Sequence, residues 1–262
     1  MAHISEFLKP NPERSEENAP SVFKQLLLFA LGFLGLNVIA LAVSTIVKAY
    51  LALQYPDPIA YANALQHISY AATINIVSYV ILVVVMFIAA FDVINRLRKQ
   101  FYRPSVIVKG IGYGMLILLA TIALNAVYLA FGIELTDNAN ESSVTAIMKA
   151  YPFFSLIAFV IAGPIVEEIT YRLGLFGLLN RANRYLAYVG TFLVFGLIHF
   201  DFTNPNIVNE LLNLPFYIIA GLLFCYIYEK EGLTVSIYAH MTNNLVSFVF
   251  SFIGTDAIVR LM

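Results

Sequence analysis

Three short stretches hold polar residues where the chain is otherwise as apolar as a lipid tail. GPIVEEITYR, residues 163–172, carries Glu167, Glu168 and Arg172; TFLVFGLIHF carries Phe195 and His199; SIYAHMTNNL carries His240 and Asn244. Glu168 and Arg172 are four apart, so on a helix they share a face and can form an ion pair that offsets part of the cost of burying either. Glu167 points about 100° away from its neighbour and has no local partner. A carboxyl left alone in a membrane is protonated, reached by water, or functional. Phe195 with His199, and His240 with Asn244, repeat the four-residue spacing, so each pair projects from one face. The plainer account is that both acids face a loop at a helix end and that each histidine is a satisfied core residue. Against it, the chain has only four histidines, and the two inside apolar runs both belong to these pairs.

A carboxylate and an imidazole within reach of one water can take its proton, which makes a nucleophile for a carbonyl carbon. A second imidazole and an amide can donate to the oxyanion that develops. Together these groups suit the hydrolysis of an amide bond. No covalent nucleophile competes: Ser236, Ser247 and Ser251 lack a recognisable base, and so does Cys225. Being the single cysteine, Cys225 has no thiol partner for an intrachain disulfide or a metal.

The elements that must carry these groups follow from composition. Of 262 residues, 60% are hydrophobic and 12% charged, with a mean hydropathy of +0.81. Such a chain is an all-α polytopic transmembrane bundle, because a helix satisfies its own backbone in lipid. Seven apolar runs are long enough to cross: residues 25–47, 71–91, 106–131, 153–180, 185–203, 211–228 and 233–253. The polar, Pro-containing residues 1–24 read as a flexible cytoplasmic tail, 25–104 as two N-terminal membrane helices, 105–253 as the core with the polar clusters, and 254–262 as a C-terminal tail.

With the N-terminus inside, the inner segments hold Lys9, Arg14, Lys24, Arg96, Arg98, Lys99, Arg103, Lys109, Arg172, Arg181, Arg184 and Lys230, and the outer ones only Lys48, Lys149 and Arg260. That bias predicts seven crossings with the N-terminus in the cytoplasm. The positive residues are spread among loops and the net charge is -1, which excludes a nucleic-acid partner. At the helical rise, Glu167 lies about 20 Å, His199 about 22 Å and His240 and Asn244 about 12 and 18 Å from their inner flanks. Three helices running in alternate directions thus bring their polar groups to overlapping depths, as a shared cavity requires.

EEITYR fits an EExxxR pattern, FGLIH an FxxxH pattern and HMTNN an HxxxN pattern, in that order on successive late helices. Together they resemble the CAAX protease and bacteriocin-processing (CPBP, or Abi) family of intramembrane endopeptidases, over about residues 105–252. The resemblance implies that Glu167 and His199 activate water, that His240 and Asn244 form the oxyanion site, and that Glu168, Arg172 and Phe195 support them. No cofactor is required on this view. The alternative is zinc held by Glu167, His199 and His240 with one position open for water, although the paired-histidine H-E-x-x-H motif is absent. The implied partners are a membrane-associated peptide or protein substrate, the lipid bilayer, and a membrane signalling partner of the kind bacterial relatives regulate. A multi-pass location in a bacterial plasma membrane is expected. Two further classes fit a Glu/His cavity: a non-catalytic scaffold or bacteriocin self-immunity protein, and a transporter or proton relay.

Overall fold

The computed structural model describes residues 19–253, and among these the chain is helical with no strand. Residues 1–18, most of the expected N-terminal tail, and 254–262, the expected C-terminal tail, lie outside the described residues. Helix α1 is Val22–Gln54, α2 Pro58–Gln66, α3 Ile68–Ala89, α4 Phe91–Leu97, α5 Pro104–Ala130 and α6 Ala139–Ala150. A single run, Pro152–Asn180, forms α7. It is followed by α8 Arg184–Leu197, α9 Ile207–Glu231 and α10 Leu233–Phe250.

Five of these, α1, α3, α5, α7 and α9, are long and apolar enough to cross a membrane. The expected run 185–203 makes a shorter apolar helix of 14 residues, and 233–253 one of 18. The expected loops contain helices of their own. Asp57 accepts from the Ala60 N–H to start α2, and Asn138 accepts from the Glu141 N–H to start α6, each satisfying a donor that a helix N-terminus leaves unpaired. Between α9 and α10 the turn is made at Gly232, whose φ of 99° lies in the left-handed region that a Cβ disfavours.

Helix α7 is the centre of the bundle and the most buried of the five. Pro164 has no N–H to give, and on both sides of it the helix widens to π turns, over Leu156–Ala162 and Glu168–Phe176. The Gly163 N–H reaches the Ala158 carbonyl and the Gly177 N–H the Arg172 carbonyl, each five residues back. Such widened turns recur at functional sites.

Around α7, small residues bring helices close, as is usual in membranes. A Cβ at Gly110 would lie 2.2 Å from Tyr238 Cβ, and one at Gly114 2.6 Å from the Ala239 carbonyl oxygen, so α5 meets α10 nearly backbone to backbone. At one end Arg184 donates to both Glu229 oxygens at 2.7 Å and Tyr188 Oη donates to the same carboxylate at 2.8 Å, which ties α8 to α9.

Candidate active site

Adjacent acids on α7 face different surroundings. Glu168 turns into the bundle, fully buried, and its carboxylate is saturated: it accepts from Ser236 Oγ at 2.5 Å and from His240 Nδ1 at 3.0 Å, and its Oε1 lies 3.3 Å from Arg172 Nη1. Arg172 is also fully buried, and its Nη2 donates to the Gly221 carbonyl at 3.4 Å. The guanidinium carbon sits 4.5 Å from the ring centroid of Phe195 and 5.0 Å from that of Phe224. The Glu168 charge and two aromatic faces offset part of the hydration this cation has lost, while its Nε and Nη1 make no hydrogen bond. The ion pair expected from the four-residue spacing is present, although it spans a π turn.

Glu167 looks the other way, onto a cavity of about 550 Å³. Its Oε2 is buried without a hydrogen-bond partner and lies 3.7 Å from His240 Nε2. His199, His240, Asn244 and Phe195 line the same cavity, so α7, α8 with the turn after it, and α10 deliver five of the expected groups to one space. Glu168 and Arg172 are not on its wall; they stand behind it.

Each histidine is oriented through Nδ1. His240 donates Nδ1–H to Glu168, which turns Nε2 toward Glu167, and its ring stacks on Phe224 with centroids 4.3 Å apart. His199 lies just past the end of α8, in a turn rather than in the helix. The spacing still acts: a carbonyl only accepts, so His199 Nδ1–H donates to the Phe195 carbonyl at 2.8 Å. That fixes the tautomer and leaves the Nε2 lone pair free. Asn244 gives one amide N–H to the Phe159 carbonyl at 3.0 Å and keeps the other.

Sequence reasoning missed several parts of this arrangement. The bond from His240 to Glu168 joins residues 72 apart, and the Phe224 and Tyr217 rings against the two histidines come from α9, where nothing marked them out from other aromatic residues. Among the described residues no group of three or more His, Cys, Asp or Glu side chains is placed to hold a metal ion. Glu167, His199 and His240 share a cavity without forming a ligand triangle.

The comparisons with known proteins fall on this half of the chain. Residues 149–246 match the family model described as type II CAAX prenyl endopeptidase Rce1-like. That segment is similar to the Rce1-like family. It holds all three motifs, so the resemblance they implied holds. The chain is also 29% identical over 119 residues to "Putative membrane peptidase YdiL" of Bacillus subtilis (strain 168), covering 45% of this chain and 44% of that protein. It is 22% identical over 163 residues to "UPF0177 protein YvdC" of Lactococcus lactis subsp. lactis (strain IL1403), covering 62% of this chain and 58% of that one. The chain thus spans about half the length of the curated relatives it matches. No solved structure matches it. The Rce1-like segment begins before α7 and ends within α10, so it encloses Glu167, His199, His240 and Asn244.

Proposed function

We propose that this protein is an intramembrane endopeptidase that hydrolyses a peptide bond of a membrane-associated protein or peptide, in a bacterial plasma membrane. The observation that carries the reading is Glu167, which lines one cavity with His199, His240 and Asn244 and whose buried Oε2 has no hydrogen-bond partner. A buried polar atom with no partner is costly unless a ligand or water completes it. The Rce1-like match and the membrane-peptidase relative favour the same class.

The chemistry follows from the free valences. A water in the cavity gives its proton to Glu167, with the His199 Nε2 lone pair accepting its second hydrogen bond, and its oxygen attacks the substrate carbonyl carbon. The carbonyl π electrons move onto oxygen. The resulting oxyanion takes hydrogen bonds from the free N–H of Asn244 and from His240 Nε2–H. The Glu168 carboxylate holds His240 at Nδ1 and so orients its Nε2. Collapse of the intermediate breaks the C–N bond, and the proton held by Glu167 goes to the leaving amine. No step needs a metal.

The test is purified protein in liposomes, offered a library of quenched-fluorescent peptides that partition into the bilayer. Glu167→Gln keeps the shape and removes the base, so it folds and cleaves nothing. Full cleavage by a well-folded Glu167→Gln protein sinks the assignment. Flux driven by a pH gradient, or partner capture that survives Glu167→Ala, with no cleavage by the wild type, moves the protein to the transporter or scaffold class.

A further inference from the structure

We propose that Tyr217, Asn138 and Glu210 form a positioning assembly that fixes the orientation and tautomer of His199; its kinetic consequence rests on the endopeptidase reading, its structural one does not. His199 needs such support because it lies beyond the last helical residue of α8, in a turn held by a short-range backbone bond from its N–H to the Gly196 carbonyl at 3.1 Å and not by the helical ladder. Three further contacts fix the ring and the backbone of this turn. Nδ1 donates to the Phe195 carbonyl at 2.8 Å, the imidazole lies flat on the Tyr217 ring with centroids 4.4 Å apart and planes 11° apart, and the His199 carbonyl receives Asn138 Nδ2 at 3.5 Å.

The second and third contacts are linked. Asn138 is buried, and its side chain meets Tyr217 Oη at 3.3 Å while its Oδ1 accepts the Glu141 N–H at 2.8 Å to cap α6. The residue that stacks on the ring and the residue that holds the backbone therefore hold each other. Glu210 sets the distance between them. It is buried near the start of α9, and its Oε1 accepts from the Ala139 N–H at 3.0 Å and Asn204 Nδ2 at 2.6 Å, while Oε2 accepts from the Asp201 N–H at 3.2 Å. One carboxylate thus joins the N-terminus of α6 to the loop that leaves His199. Further along the same helix, Asn213 Nδ2 donates to the Thr136 carbonyl at 3.0 Å and fixes the approach to α6 from the other side.

Each part has a distinct task. The Tyr217 ring limits rotation of the imidazole about its Cβ–Cγ bond, so Nδ1 stays on the Phe195 carbonyl. Asn138 and Glu210 keep the turn from moving away from that ring. Glu210 makes no contact with the cavity wall and acts only through others; Tyr217 and His199 both line it. Replacing Glu210 by Gln preserves volume but places an NH₂ group against N–H donors, which turns one attraction into a clash of like dipoles.

The experiment uses the full chain in lipid nanodiscs with ¹⁵N-labelled histidine, the His199 signals being those lost in His199→Gln. The wild type shows a single tautomer protonated at Nδ1. Tyr217→Leu and Glu210→Gln each populate a second tautomer, and Tyr217→Phe, which keeps the ring, recovers part of the wild-type pattern. On a peptide the wild type cleaves, the first two variants lower kcat by about 10- to 100-fold, the loss expected for a misplaced catalytic group, with KM changed by about twofold or less. A wild-type ¹⁵N pattern in both Tyr217→Leu and Glu210→Gln overturns the assembly whatever the protein cleaves. So does a rise in KM with kcat unchanged, which would make Tyr217 a substrate contact. A second tautomer in these variants, in a protein that cleaves no peptide, supports the assembly and removes the endopeptidase reading instead.

Discussion

Removing the Arg172 guanidinium tests the packing behind the cavity more severely than any other single change. In Arg172→Ala the Glu168 carboxylate loses the cation at 3.3 Å, and the space between Phe195 and Phe224 loses the group stacked there. Breaking a buried pair from one side costs about 3–5 kcal/mol, because the remaining charge has no water to return to. Here Ser236 Oγ and His240 Nδ1 still serve the carboxylate, which places the cost near the lower end, about 3 kcal/mol. That is roughly a hundredfold in the ratio of folded to unfolded protein. Arg172→Lys keeps the charge but loses the planar stack, for about 1–2 kcal/mol. The assay is reversible unfolding in mixed micelles by increasing sodium dodecyl sulfate, with near-ultraviolet circular dichroism as the signal. The double change Glu168→Gln with Arg172→Met strands no charge and is more stable than Arg172→Ala alone. An unfolding free energy for Arg172→Ala within about 0.5 kcal/mol of the wild type, the range of an ordinary surface substitution, refutes the reasoning.

Three further outcomes follow from the same geometry. Asn244→Ala lowers kcat by about 100- to 1000-fold with little change in KM if its free N–H holds the oxyanion, and steady-state kinetics on a cleaved peptide decide it. Gly114→Leu forces α5 from α10 at a place where even a Cβ would lie 2.6 Å from the Ala239 carbonyl, costing about 1–3 kcal/mol in the detergent unfolding assay; no loss would mean that the two helices separate freely. Cleavage persists after exhaustive dialysis against a strong chelator, and zinc fails to restore Asn244→Ala; rescue by zinc would show that Asn244 supports a metal-bound histidine.

The membrane helices were legible because lipid imposes one length and one polarity on them, and because Glu167, Glu168, Arg172, His199, His240 and Asn244 stand out against such a background. What the runs concealed was anything determined by contacts between helices. Ser236 has no recognisable base beside it in the sequence, and in the fold it donates to Glu168, 68 residues away. His199 sits past the helix end, because the apolar run 185–203 continues beyond Leu197 while the helix does not. The helix Ala139–Ala150 has too few apolar residues to stand out by hydropathy, although Asn138 followed three residues later by Glu141 is a recognisable start signal. The π turns flank the short α-helical stretch that holds Pro164, and no local pattern in the sequence records their extent.

The neighbouring glutamates of α7 show why residue type alone could not separate the two roles. Both lie in the same apolar segment, and the spacing rule distinguished them only by the partner that Glu168 finds in Arg172. In the fold the difference widens. Glu168 has donors or a cation on both oxygens and no route to the cavity, so its charge is fixed and serves to orient His240. Glu167 lines the cavity and keeps a buried oxygen without a hydrogen bond. A base must be able to gain and lose a proton during each turnover, whereas an orienting group must hold one state throughout. A saturated carboxylate suits the second task and an unsaturated one the first, which is why we propose Glu167 and not Glu168 as the base.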